Sequence, residues 1–554
     1  MPDDALRLHG RDQALGLVRE FATRPEPKGY PTTRRAPILI FTGPKGSGKT
    51  ALLDSLEHHL RGRSPYARVD CGELKATTAW EVLTLLVFDL NRNAARYRAI
   101  PFPRFVTAQV AIAEQIDTPG QAARAQIREA LERVRRVDRL RAFLHSLAEE
   151  VSAVPVVGAV PGVTTAARYA ADLILGGLVR WRRGRRVVLG EGLEWYGTGN
   201  QAYDELVRLN LLTRDDASEA DRKEATELLW AAFLADLRAA FATGRGARTW
   251  SLNCVLLLDD VDTRPGRLLY RALADARRGE SDPLTVVATS AGGVARQLAD
   301  DDIPFVEEAG YDDYLERRQG DYESDSYPVA LRDLTPDEVK DMVADVAGPR
   351  LNARRAVAAE VYRFTAGHPA ATAVVVKAIG DNTGAPASVK RLLAGLWRGP
   401  VDKDPVTVEE RLLRELLGAP AEAALAALEA CSAARDVEQA DELARSGLVP
   451  VPRDGAGLVP VVLQVRDPGT GRPVMLPALR HLLLRRLAAD PPRWTAVHTW
   501  LRDNGREEDR HYHALALRDV DAVVRRLASL LPDTRSWLAE LDAVTAAPND
   551  LDTD

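Results

Sequence analysis

The stretch Ala36 to Leu60, APILIFTGPKGSGKTALLDSLEHHL, constrains the fold more than any other part of the chain. Pro37 to Phe41 is a short apolar run that reads as a buried strand. Gly43-Pro44-Lys45-Gly46-Ser47-Gly48-Lys49-Thr50 follows and fits G-x-x-x-x-G-K-[ST] at every position. Leu52, Leu53, Leu56 and Leu60 then fall on one face of an amphipathic helix. Strand, glycine-rich loop and helix in that order make a phosphate cradle. The glycines let backbone N–H groups turn inward, and the helix N-terminus adds partial positive charge. Lys49 would reach the terminal phosphates, and the Thr50 hydroxyl would ligate Mg²⁺.

Further apolar runs extend this unit into a parallel α/β sheet. Ala67 to Cys71, Ser251 to Leu258, Leu284 to Thr289 and Tyr327 to Leu331 read as strands, separated by helical patterns. Leu6 to Phe21 reads as a turn entering a helix, Ala22 to Arg35 as a loop, and Thr77 to Leu90 as a helix capped at Thr77 or Thr78. Gln121 to Val151 and Asp221 to Phe241 are amphipathic helices inside a long segment that reads as a helical insertion. Beyond the last strand, Thr335 caps a helix through Val346, with Pro336 at its first position and acids in its first turn. Helices at Ala356 to Thr365 and Pro369 to Ile379 flank Ala366-Gly367-His368-Pro369. After a loop at Arg398 to Asp404 come helices at Val408 to Leu417, Glu422 to Ser432 and Asp436 to Arg445. Strands at Gly447 to Pro452, Leu458 to Arg466 and Val474 to Leu476 follow, around the turn signal Asp467-Pro468-Gly469-Thr470-Gly471. Three helices and a hairpin describe a winged-helix module. Helices at Trp494 to Leu501, His511 to Leu517, Val520 to Leu531 and Thr534 to Val544 precede an acidic tail.

A chain of 554 residues accommodates two to four domains. The net charge of -6 gives no global electrostatic reason to expect nucleic acid or an anionic membrane. Cys71, Cys254 and Cys431 are too scattered for a disulfide framework, and they suit a reducing cytoplasm, where the protein is expected. The polar start MPDDALRLHGRD does not read as a signal peptide.

Asp259 and Asp260 follow the apolar run Val255 to Leu258, which puts two carboxylates at the end of a central strand. Asp259 is the candidate for the Mg²⁺ shell. Asp260 is the candidate to orient or deprotonate an attacking water. Thr289-Ser290 ends the next strand, where a hydroxyl could sense the terminal phosphate, although such residues also simply cap strand ends. His511 and His513 are two apart and would not share a helix face, so a structural role is preferred to a metal site.

Val151 to Ala167 carries no charge, and Leu173 to Val179 continues it after Arg168 and Asp172. The basic run Arg180 to Arg186 closes it. Pro155 and Pro161 would break a spanning helix, so burial within a helical segment is preferred to a membrane-touching hairpin.

The order of motifs resembles the STAND class of AAA+-related signalling NTPases. The resemblance rests on the phosphate loop, Leu258-Asp259-Asp260, Thr289-Ser290, LRDLTPDEVKDMV, Gly367-His368-Pro369 and the opening Leu8-His9-Gly10-Arg11-Asp12. It covers roughly Leu6 to Tyr97 and Ser251 to Ala489. It implies an α/β P-loop NTPase core, N-terminal part at 1–97 and C-terminal part at 250–332, split by a helical insert at 98–249. A helical lid at 333–400, a winged helix at 401–490 and C-terminal helices at 491–554 would follow. ATP or ADP with Mg²⁺ is the implied cofactor. Gly10 and Arg11 would lie near the adenine, and Pro369 would pack on the base. The implied activity is that of a bacterial switch in regulation or defence, with slow hydrolysis, nucleotide-dependent self-assembly and a protein partner as sensor or effector. Two departures stand out. Ala291-Gly292-Gly293 replaces the arginine expected after the Thr-Ser strand end. Leu476-Pro477-Ala478 replaces the triplet that holds ADP, with His481 nearby. No repeat array follows the winged helix, so the sensor is expected on another protein or in the insert.

Two other readings compete. An origin-recognition-like AAA+ ATPase would bind DNA through the winged helix, yet DVEQADELAR is acidic, against a weak basic signal at Arg480, Arg485 and Arg486. A membrane-acting effector would work through Val151 to Val179.

Overall fold

Five apolar runs become five strands. They are β1 (Ile38–Thr42), β2 (Tyr66–Asp70), β3 (Cys254–Asp259), β4 (Leu284–Ser290) and β5 (Ser326–Ala330). Their order is β2-β3-β4-β1-β5, and every neighbouring pair is parallel. The computed structural model describes residues 8–24, 36–74, 79–92, 100–116, 120–134, 192–242, 250–278, 280–298, 303–318, 326–347, 354–381, 388–398, 406–449, 459–467 and 469–548. The chain divides into two compact units: Met1–Thr42 with Lys49–Leu331, and Gly43–Gly48 with Arg332–Asp554.

In the first unit the sheet is covered on both faces, which is why its strands read as unbroken apolar runs. Alternation along each strand sorts the side chains. Leu39, Phe41, Val255, Leu257, Val287 and Val329 face a core shared with α1 (Asp12–Ala22) and α2 (Lys49–Leu60). Ile38, Ile40, Val69, Leu256, Leu258 and Val286 face the other core. That second core is closed by α3 (Ala79–Arg92), α4 (Pro103–Ile112), α5 (Gln121–Val134), α6 (Asn200–Leu212) and α7 (Glu219–Ala242). The helices expected as an insertion therefore share one core with the sheet.

Two buried polar side chains lock those helices together. Asp236 accepts from the N–H groups of Arg104 and Phe105, at 3.2 and 2.9 Å, and from Arg104 Nη1 at 3.0 Å. It thereby caps α4, which offers no cap of its own. Burial, only partly offset by those bonds, pushes its carboxyl up to about 7. At the other end of α4, Asn210 Nδ2 donates to the carbonyls of Ala111 and Glu114 at 2.8 and 2.7 Å.

The second unit is mainly helical. α8 (Pro336–Ala347) starts with a reciprocal cap: Glu338 N–H donates to the Thr335 hydroxyl at 3.3 Å, and Thr335 N–H to Glu338 Oε2 at 2.8 Å. α9 (Arg354–Thr365), α10 (Pro369–Asp381) and α11 (Val408–Leu417) bury one core with a helix further along the chain, α14 (Pro477–Ala488). α12 (Glu422–Cys431) and α13 (Val437–Arg445) precede a two-stranded antiparallel sheet, β6 (Gln464–Arg466) with β7 (Pro473–Met475). Asp436 caps α13 through the Gln439 N–H at 2.9 Å, as its position in the sequence suggests.

Two strand expectations fail here. Gly447 to Val449 is a turn, with Gly447 at φ +78°, and 450–452 lies outside the described residues. Val461 to Leu463 is a single 3₁₀ turn after Pro460, so only the last three residues of the expected strand pair. The chain continues through α15 (Pro491–Asn504), α16 (Arg510–Ala516), α17 (Val520–Leu530) and α18 (Thr534–Thr545). Among the described residues, no helix is long and apolar enough to cross a membrane. The stretch 151–179, its basic flank 180–186 and the caps Thr77 and Thr78 lie outside the described residues.

Candidate functional site

The C-terminal end of β3 carries Asp259, Asp260 and Asp262, beside the hydroxyl-bearing ends of β4 and β1. Parallel register sets Phe41 beside Thr289 and Thr42 beside Ser290, and β3 flanks β4 on its other side. Asp259 is the last residue of β3 and is 6% exposed. The Thr289 hydroxyl donates to Asp259 Oδ1 at 2.6 Å and accepts the Asp260 N–H at 2.9 Å. Arg68 Nη2 lies 3.8 Å from Asp259 Oδ2 and spans to Asp54 and Glu57 of α2 through Nη1. Asp260 is held at φ +53°, a left-handed backbone that a non-glycine residue adopts only when its surroundings impose it. Its carboxyl is raised above the ordinary range by burial and by Asp262 and Asp259, with Lys49 opposing.

Lys49 opens α2, and burial lowers its ammonium to about 8 even though Asp259, Asp260 and Asp262 favour its charge. Arg11 pushes in the same direction as burial. The half-buried Lys49, the buried Arg11 and three carboxylates thus share one electrostatic neighbourhood. Arg11 is 1% exposed, and its Nη1 donates to Gly10 O at 2.7 Å. Thr50 is exposed on the first turn of α2.

Asp262 is the residue that sequence reasoning missed. Ser290 Oγ donates to both of its oxygens, at 2.9 and 3.0 Å, and the N–H groups of Ala291 and Val294 donate to it as well. It fixes the turn after β4. The signal for it is its place in Asp259-Asp260-Val261-Asp262, three residues beyond the strand's last acid. No arginine directly follows Ser290, but the side chain of Arg296 folds back over Gly292. A Cβ there would lie 3.1 Å from Arg296 Nε.

Residues 43–48 belong to the second unit. Gly46 and Gly48 stand at φ +80° and +82°, which side chains resist. Lys45 N–H donates to Val462 O at 2.9 Å, and Ala370 N–H to Gly46 O at 3.0 Å. His368 Nε2 lies 2.9 Å from Lys45 O. Pro369 begins α10 directly after His368. The turn before it is fixed by Gly367, at φ +77°, where a Cβ would lie 2.1 Å from Leu334 O. His481 faces Phe364 O at 2.8 Å, and burial lowers its pKa.

The residues present fit a phosphate ligand: Gly46 and Gly48 hold left-handed backbone that side chains resist, and the half-buried Lys49 follows in the chain. Among the described residues, no group of three His, Cys, Asp or Glu is placed to hold a metal ion. A cation at Asp259 and Thr50 would therefore share its coordination with phosphate and water oxygens, as Mg²⁺ does. His513 packs against His498 in the core, and His511 pairs with Glu540 at 3.0 Å, so neither joins this site. No protein-family model matches the chain, and a search of curated proteins returns no significant match.

Proposed function

We propose that this chain is a P-loop NTPase that binds ATP or ADP with Mg²⁺ and works as a slow-hydrolysing signalling switch of the STAND type. The observation that carries the reading is Lys49, half-buried and in the field of Asp259, Asp260 and Asp262 at the strand ends, directly after a loop with two left-handed glycines. Lys49 and the loop N–H groups bind the β- and γ-phosphates. Thr50 and Asp259 would hold Mg²⁺, whose charge would offset that of the phosphate oxygens. Asp260, more basic than a free carboxylate, orients the attacking water. Thr289 serves by positioning, because its one proton goes to Asp259 rather than to a ligand. Gly10, Arg11 and Pro369 are assigned to the nucleoside side.

In the second unit, the lid reading applies to α8 to α10, and the winged-helix reading to α11, α12, α13 and the β6–β7 hairpin. A DNA-binding role is disfavoured. Arg480 is engaged by Ser432 O and the Tyr512 hydroxyl, Arg485 by Glu409, and Arg486 by Glu429. Those arginines brace the unit internally.

Asp260→Asn is expected to retain ATP affinity and lose most of the turnover, measured by phosphate release alongside binding. Equal turnover in the variant would remove Asp260 from the hydrolytic role.

A further inference from the structure

His368 is 1% exposed, and its ring is fixed on both sides. Nδ1 faces the Ala371 N–H at 3.3 Å. An N–H only donates, so Nδ1 carries the lone pair and the ring proton sits on Nε2. Nε2–H therefore donates to the Lys45 carbonyl, 2.9 Å away. Two residues on, Ala370 N–H donates to the Gly46 carbonyl at 3.0 Å. The C=O and N–H of a planar trans peptide point in opposite directions. Holding the Lys45 carbonyl on His368 turns the Gly46 N–H away from the histidine. Holding the Gly46 carbonyl on Ala370 turns the Ser47 N–H likewise, and that group meets Pro44 O at 3.2 Å within the loop. Gly46 lets the ring approach: a Cβ there would lie 2.5 Å from His368 Cε1 and 3.0 Å from Ala370 Cβ.

We propose that His368 is a positioning residue for phosphate binding, holding the Lys45 carbonyl so that the Gly46 N–H stays turned toward the anion. This rests on the phosphate-binding reading of residues 43–50. His368 acts through the loop main chain and needs no contact with the ligand. Its loss should weaken the phosphate end of binding and leave the nucleoside end alone.

The test uses the full chain, with MgATP, magnesium pyrophosphate and adenosine as probes, and two variants of one chemistry. In His368→Gln the amide nitrogen reaches the place of Nε2. In His368→Asn the same amide is one carbon too short. The Asn variant is expected to bind MgATP and pyrophosphate about tenfold more weakly, the cost of one buried hydrogen bond. The Gln variant is expected to stay within about threefold of the parent on the same scale. Adenosine affinity is expected to be the same in all three. Equal affinity of the Asn variant and the parent for pyrophosphate would overturn the proposal, and so would equal loss in both variants. Lys49→Ala separates the two readings. Pyrophosphate binding unchanged by Lys49→Ala overturns the phosphate-binding reading itself, whereas its loss there beside normal binding in His368→Asn overturns only the role of His368.

Discussion

Thr289 has one hydroxyl proton, and the strand ends use it on Asp259 while the oxygen takes the Asp260 N–H. Thr289→Val keeps the shape and removes both bonds. It leaves a buried amide and a buried carboxylate oxygen short of a partner, which costs about 1–3 kcal/mol for each such group. Denaturant unfolding should show a loss of about 2–6 kcal/mol for the two groups together, and Mg²⁺-dependent nucleotide binding should weaken with it. Unchanged stability would mean that the carboxylates are held by Arg68 and the turn alone. At this scale the sequence was informative about residue identity and silent about direction. Asp259 and Asp260 could be singled out because apolar runs end in acids only where a strand meets solvent or a site. That Thr289 faces a carboxylate depends on the β3–β4 register, which no local pattern encodes.

At the scale of elements, strands buried on both faces were readable because nothing in them alternates. Caps were readable where the side chain is local, as at Thr335 and Asp436. α4 was not, since its N-terminus is satisfied by Asp236 from α7, far along the chain. Amphipathic helices fit a separate bundle or a sheet face equally well, so the packing of α4 to α7 on the sheet core was also hidden. The pairing of α15 with α16 was hidden as well. His498 and His513 meet at 3.1 Å, Nδ1 to Nδ1, and both are fully buried. Burial lowers both pKa values, with Arg480 adding to the effect on His498, and with His498, Arg480 and Arg435 adding to that on His513. Both rings are neutral in the folded state, while the unfolded chain takes up protons near pH 6.5. Stability contributed by this pair is therefore complete above about pH 6.5 and is lost as pH falls below it, by about 1.4 kcal/mol per pH unit for each histidine. Protection of α15 and α16 against hydrogen exchange, corrected for the intrinsic rate at each pH, should fall on that slope, and His498→Phe should make the slope shallower. Protection that is independent of pH across that range would contradict the buried neutral pair.

At the scale of the molecule, the motif Gly43 to Thr50 is divided between the two compact units, residues 43–48 with one and Lys49 onward with the other. A switch of the proposed kind is expected to change its assembly state with the nucleotide it holds. Size and turnover measured together should differ between ADP and ATP, with the ATP state preserved longest in Asp260→Asn. Identical size in both nucleotides would leave an ATP-binding protein without a switch. The most direct test of the account is calorimetric titration of MgATP into the parent chain and into Lys49→Ala. Removing the Lys49 ammonium is expected to weaken binding by about a hundredfold or more. Equal affinity in the two proteins would contradict the assignment of residues 43–50 as the phosphate site.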